Sequence, residues 1–475
     1  MKSINKSTLL LISTLVLIAI ILPYLMVHIS YLIAPMLILV LLTLFFVSIT
    51  MVNYQTGMYL VFIYGCLFSL LSRLLGDMIP YGILYDLIIL LTFIAMVIKV
   101  KSQKGFLWKT SEPIVIIQFI FYSYFLLQIA NPNSVSIMAW FDAARFIILF
   151  LLFYVFIHLF KNKESIKNFT NLWILSGLIV AMYGVFQEYV GFRNFEYQWL
   201  TADPLRFQLY HIWGHIRIFS TLSDPSAYGL FLAFTGTGSL ILAIGPGSFS
   251  KKSSYLGAAL IMYFGMSFSG TRTAYAMILI GTVLFIIANL RNPKILIASF
   301  VLVMIFVILM VGPFYSGPIN RMRSTFELSE DASMYVRDAK RIRLQSYVKS
   351  HPIGGGLNTA GNEGLRYSRG HPLAGFYSPD SGYLRTALEM GWIGLLIVIS
   401  LNTAVVIKGI RNYFYLKDPQ LKVYSMVYMV PFLGLSVAHY TQDALYQKPI
   451  NILVMATFAL MIKLKDVDTT LEGDA

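Results

Sequence analysis

The stretch PDSGYLRTALEMGWIG, Pro379 to Gly394, sets one carboxylate, Asp380, at the mouth of an apolar helix and a second, Glu389, about two to three turns inside it. A carboxylate at such a mouth can take a proton from an incoming hydroxyl, or it can cap the helix by accepting from its free N–H groups. Asp380 and Ser381 fit both roles. Arginines stand at other helix mouths: Arg217 before one apolar run, Arg272 at the start of another, and Arg385 in the first turn after Asp380. A guanidinium group stays protonated and grips phosphate oxygens through two parallel hydrogen bonds, so these positions suit an anion. Further on, DASMYVRDAKRIRLQSYVKS has helix-forming character and carries Arg337, Lys340 and Arg341 on one face. Arg369, His351 and His371 follow it, the two histidines as rival bases or as structural residues beside proline turns. Glu389 reads as a buried acid paired with an arginine or as a substrate contact.

Such groups need elements to hold them, and the composition says which. The chain is 57% apolar and 12% charged, and its apolar runs are long enough to cross a ~30 Å hydrocarbon core repeatedly. An all-α, polytopic membrane protein is expected, as one integral membrane domain over 1–475. Candidate spans lie near 8–27, 31–50, 57–75, 83–98, 113–130, 143–160, 170–190, 226–245, 254–270, 273–290, 295–315, 383–402, 421–438 and 448–463. The first follows Lys2 and Lys6, lacks an Ala-x-Ala cleavage site and reads as an anchor. Cys66, the only cysteine, falls inside a span, which excludes an internal disulfide.

With a cytoplasmic N-terminus, the basic connections KVKSQKGFLWK, KNKESIK, Lys251-Lys252, RNPK, KGIRNYFYLKDPQLK and KLK all fall on one side. The positive-inside rule makes that side cytoplasmic and places both termini there. The opposite connections GDMIPYG, NPNSVSIMAWFD and HYTQDALYQ are almost free of lysine and arginine. Two outer connections are longer: an aromatic one over 191–217 and a large, partly helical one over 316–382. The end of the chain, 464–475, reads as a disordered cytoplasmic tail. Ionisable residues at span ends, among them Arg73, Asp142, Arg145, Asp224 and Asp443, gather toward the outer face, which suggests a hydrated chamber opening outward. Helix capping and snorkelling are the alternative for each residue alone. The basic outer surface suits an anionic lipid headgroup. Nucleic acid is not expected as a ligand, because the excess positive charge belongs to cytoplasmic loops.

Four segments together resemble the O-antigen ligase and polymerase superfamily of bacterial envelope membrane proteins. RIFSTLSDPSAYGLFLAF, from Arg217, is similar to that family's outer arginine followed by Asp/Asn-Pro before a span. FSGTRTAYA around Arg272 is similar to its Ser-Arg-Gly/Thr-Ala element. A loop arginine such as Arg337, then a helix, then HPIGGG resembles its pattern ending in Pro-x-Gly-x-Gly. PDSGYLRTALEMGWIG resembles its closing element. Ligase members carry His-Asn where this chain has Asp380-Ser381, so the departure resembles the polysaccharide polymerases.

The resemblance implies glycan transfer from a polyprenyl-diphosphate-linked donor to a glycan acceptor at the outer face of the bacterial cytoplasmic membrane, with no cofactor and no metal. Asp380, Arg217 and Arg272 are then the candidate catalytic residues, and Arg337, Arg341, Arg369, Arg385, His351 and Glu389 the substrate-binding ones. Chain-length regulator and flippase proteins are the partners it implies. Polymerisation of repeat units of O-antigen, capsule or exopolysaccharide is the first reading. Ligation onto lipid A core and transport of the same lipid are the alternatives, and charge confined to one half of the membrane argues against transport.

Overall fold

The computed structural model describes residues 46–76, 81–102, 111–212, 214–290, 344–374 and 381–473, with isolated positions between 293 and 342. The spans expected at 8–27 and 295–315 and most of 31–50 lie outside the described residues, apart from such isolated positions. The chain is an all-α, multi-pass membrane protein. Eight of its described helices are long and apolar enough to cross a membrane by length and composition.

The helices are α1 Tyr54–Leu75, α2 Tyr81–Ser102, α3 Pro113–Leu127, α4 Ile137–Ala144, α5 Ile148–Leu159 and α6 Lys163–Tyr189. A folded excursion follows, with α7 Asn194–Thr201, α8 Pro204–Tyr210 and the two-residue strands β1 His211–Ile212 and β2 His215–Ile216. Then come α9 Pro225–Ile244, α10 Phe249–Ser267, α11 Arg272–Ala288, α12 Gly361–Tyr367, α13 Gly382–Tyr415, α14 Pro419–Ala438 and α15 Ile450–Gly473. A 3-10 turn, Arg145–Ile147, joins α4 to α5, so the two read as one span.

Helix starts carry their own chemistry. Asp224-Pro225 and Asp418-Pro419 use one device: the aspartate accepts two backbone N–H bonds while proline, which has no N–H to satisfy, takes the first helical position. At α13 the cap is Ser381, whose hydroxyl accepts from the N–H of Leu384 at 3.2 Å. Capping of that helix therefore does not require Asp380.

α9 and α14 form the centre, with 78% of their apolar windows buried against 33 to 44% for the other spanning helices. Their inner faces admit little extra volume: a Cβ on Gly238 would lie 2.4 Å from Trp173, and the Trp173 indole donates to Tyr428 Oη at 3.0 Å. Exposed Leu, Ile and Phe on the peripheral helices are the surface that lipid would cover.

The helix ends sort into two sets. At one, Lys163 pairs with Asp418 at 2.7 Å, Lys408 with Glu112 at 2.8 Å, and Asp468 accepts from the N–H groups of Lys417 and Asp418. This end holds the lysine-rich connections. At the other, Arg73 donates to the carbonyls of Ser220 and Leu222, Asn133 to Gly354, and the N–H of Gly382 to His439. This is the lysine-poor end, the one expected from the charge rule to face outward. One expectation is corrected here. Residues 464–473 continue α15 instead of forming a disordered tail, because Leu464 and Val467 are buried and Asp468 ties the helix to the start of α14.

Candidate functional site

The segment HPIGGG is stitched to α13 by backbone hydrogen bonds. Gly391 lies inside α13 with φ 72° and breaks its hydrogen-bond ladder, which leaves carbonyls unpaired on the preceding turn. The loop supplies the missing donors: Gly355 N–H to Leu388 O at 2.8 Å and Gly356 N–H to Glu389 O at 2.9 Å. The Tyr124 hydroxyl donates to Met390 O at 2.9 Å. Approach this close demands glycine. A Cβ on Gly391 would sit 1.9 Å from Pro352 O, and one on Gly354, where φ is 77°, would sit 2.4 Å from Glu389 O. From the other side Asn131 and Asn133 donate side-chain amides to Ile353 O and Gly354 O, clamping the loop to the end of α3.

That clamp sets the walls of a cavity of about 180 Å³. Phe121, Phe125, Phe146 and Tyr446 give it aromatic faces, and Asn358, Arg385, Glu389 and Asp443 give it polar groups. Arg385 is the centre of that polar set. Its guanidinium lies 3.3 Å from Glu389, 3.4 Å from Glu363 and 3.8 Å from Asp443, and it donates to Asn358 Oδ1 at 3.4 Å. One cation faces three carboxylates, so the cluster carries acceptor capacity beyond what the ion pairs use. Asn358 itself, at φ 52°, donates to Asp142 and to Ala139 O. The Tyr367 hydroxyl also donates to Asp142.

Asp443 lies in the connection between α14 and α15. Burial pushes its carboxyl up from the usual range, while Arg385 pulls it back. Its Oδ1 has no hydrogen-bond donor among the described residues. His439 Nδ1 is 3.6 Å away but accepts the N–H groups of Ala444 and Leu445, so it has no proton to offer there. Burial holds that imidazole near a pKa of about 3. A Cβ on Gly382 would lie 1.9 Å from the same ring.

A second arginine site lies at the same end. Arg217 donates through Nε to Ser269 O at 2.8 Å and through a terminal nitrogen to Thr271 Oγ1 at 3.1 Å. The N–H of Ile218 bonds Phe268 O. The strip after Arg217 is thus laid along 268–271, directly before Arg272. Arg73, buried under Trp199 and Phe219, holds the carbonyls of Ser220 and Leu222 and fixes this strip from below. Glu196 does the same for α7, accepting from Tyr183, Gln187 and the N–H of Arg193.

Of the residues singled out by sequence, the structure brings Arg385 and Glu389 into one cluster and lays Arg217 against the segment that begins with Ser269 and leads to Arg272. His351 closes the helical turn over 344–350, stacked on Tyr347 at 3.9 Å, and Tyr347 in turn lies edge-on to His371 at 6.3 Å. Burial lowers the His371 pKa. Arg369 is exposed and donates to Leu365 O within its own turn. Asp380, Arg337 and Arg341 lie outside the described residues. Sequence reading missed Glu363 and Asn358, and it named Asp443 only as one of many outer acids. Asp443 had a signal, being an acid in a connection otherwise free of acids, but its partner Arg385 is too distant in sequence to be inferred. Arg73, also named only in passing, is a structural clamp.

Residues 257–399 match the family model for O-Antigen ligase, Wzy_C. That match supports the O-antigen ligase/polymerase superfamily. No curated protein matches the chain. The Wzy_C segment runs from α10 into α13 and takes in Arg272, the HPIGGG loop, Glu363, Arg385 and Glu389. Arg217 and Asp443 lie on either side of it. The match supports O-antigen ligase or polymerase-type glycosyl transfer in general and does not separate polymerase from ligase.

Proposed function

We propose that this protein is a glycosyltransferase that polymerises polyprenyl-diphosphate-linked repeat units at the outer face of the bacterial cytoplasmic membrane. The observation that carries the reading is the closure of five separate segments, around Phe125, Phe146, Asn358, Arg385 and Asp443, on one cavity with aromatic walls and surplus carboxylates. Sugar hydroxyls donate to carboxylate oxygens and pyranose faces pack on aromatic rings, so this cavity suits the acceptor glycan.

Arg217 and Arg272 hold the donor's diphosphate, where guanidinium groups neutralise the charge that grows as it leaves. Asp380, two residues ahead of α13, takes the acceptor proton. The acceptor oxygen bonds to the anomeric carbon, the bond from that carbon to the phosphate oxygen breaks, and the lipid diphosphate departs with the electron pair. Arg337 and Arg341 serve the lipid headgroup.

Ligation onto lipid A core is the second reading, supported by the family description. The carboxylate at Asp380, where ligase members carry histidine, favours polymerisation. The glycolipids that accumulate in cells lacking the protein decide among the readings. Single repeat units on the carrier are expected. Long carrier-bound chains would indicate a ligase, and substrate held on the inner leaflet a transporter.

A further inference from the structure

At the lysine-rich end, away from the cluster around Arg385, α9, α10, α11 and α14 enclose a cavity of about 420 Å³. It lies within the ~300–1,000 Å³ range of small-molecule sites. Its walls are mainly hydrocarbon, from Leu240, Ile241, Ile244, Leu256 and Phe285, and Lys252 stands at its edge. Lys252 also lines a smaller, more polar cavity of about 120 Å³ together with Lys167 and Lys251. The two spaces therefore meet at one lysine, an apolar slot on one side and a basic rim on the other.

The charge at this rim is unusual for its position. Lys251 and Lys252 fall in the first turns of α10, where the helix dipole disfavours cations, and that turn contains no acid. The Ser248 side chain does not cap the helix. Among the described residues no carboxylate lies within ion-pair distance of Lys167, Lys251 or Lys252. Nearby lysines do find partners: Lys163 takes Asp418, and Lys408 takes Glu112. Three cations without acids, set over an oily slot at the membrane boundary, complement a molecule with an anionic head and a hydrocarbon tail.

We infer that this is a binding site for an anionic phospholipid, its acyl chain in the slot between α9 and α10 and its phosphate over Lys167, Lys251 and Lys252. Basic recesses between membrane helices at the cytoplasmic boundary hold such headgroups in general. The site is separate from the proposed glycosyl-transfer site and does not depend on that function.

The test is native mass spectrometry of the purified full chain with phosphatidylglycerol, phosphatidylcholine or a polyprenyl phosphate. Phosphatidylglycerol should be retained at least about fivefold better than phosphatidylcholine. The triple variant Lys167→Ala, Lys251→Ala, Lys252→Ala should lose that preference, and Ala243→Phe, which fills the slot and leaves the lysines in place, should lose it too. Lys465→Ala, an exposed lysine at the same end, should keep it. A Leu256→Cys variant gives a second readout, since the native Cys66 is buried: phosphatidylglycerol should slow its maleimide labelling, and phosphatidylcholine should not. Equal retention of the two phospholipids, or unchanged preference in both variants, would overturn the inference. So would selective retention of the polyprenyl phosphate alone. A thiol introduced by Leu256→Cys that is equally shielded with no lipid added would overturn it as well, since the chain itself would then cover the slot.

Discussion

The N–H of Gly356 and the carbonyl of Glu389 meet at 2.9 Å, so a loop residue completes the hydrogen bonding of a membrane helix at the very residue whose carboxylate engages Arg385. Placement of the candidate site and repair of the broken helix are one arrangement.

Gly391→Ala should therefore be among the most damaging single-methyl additions to the chain. The residue sits at φ 72° and its new Cβ would meet Pro352 O at 1.9 Å. A cost of roughly 1–3 kcal/mol from backbone strain alone is expected. The check is thermal unfolding in detergent, where Gly370→Ala, whose Cβ would meet open space, should be close to neutral.

Arg385→Ala should cost more than Glu363→Gln. Removing the guanidinium leaves three carboxylates facing one another, one of them on the buried Glu389, and breaking such a set costs on the order of 3–5 kcal/mol. Glu363 is 40% exposed at its side chain, and neutralising it leaves Arg385 with two carboxylate partners and Asn358. Unfolding midpoints of the two variants, measured side by side, give the comparison.

Arg217→Lys should keep the protein in the membrane and, on the proposed function, lower transfer about 100-fold, because one ammonium cannot replace a fork that bonds Ser269 O and Thr271 Oγ1 and also serves the proposed diphosphate. Turnover of purified lipid-linked substrate is the measurement. Unchanged turnover would remove Arg217 from the proposed donor site.

Acid should destabilise the fold through His439. Its folded pKa, about 3, lies below the ordinary value of 6.5, so between these limits the unfolded chain binds the extra proton. Stability is full above about pH 6.5 and falls as pH drops toward 3, because protonating Nδ1 ejects the N–H groups of Ala444 and Leu445. Melting midpoints at pH 7 and pH 5 should differ in the native chain. The gap should narrow in His439→Asn, whose amide oxygen accepts without titrating.

Sequence made the spans legible because hydropathy over some twenty residues is a local property. The expected 226–245 and 421–438 differ from α9 and α14 by at most two residues at either end. Ends governed by packing were harder to read. α13 runs on to Tyr415 because Val405, Gly409 and Asn412 are buried against α14 and α15, with Asn412 donating to Met461 O. α6 begins at Lys163 because Asn162 and Ser165 form a capping box there. The Arg385–Glu389 pair was open to sequence reasoning through its i, i+4 spacing. Glu363 and Asp443 were not, since each reaches Arg385 across a separate connection. Gly354 was visible as a turn former within HPIGGG, but the break at Gly391 and the contact between the two glycines belong to tertiary structure.

The main-chain bonds between 355–356 and α13 also bear on how molecules travel. A segment that donates to two carbonyls of a spanning helix at its break cannot swing away without leaving them unpaired in the protein interior, where each unmet group costs about 1–3 kcal/mol. Residues 351–356 therefore act as masonry and not as a door. Whatever enters the cavity at Arg385 must do so with this wall left standing.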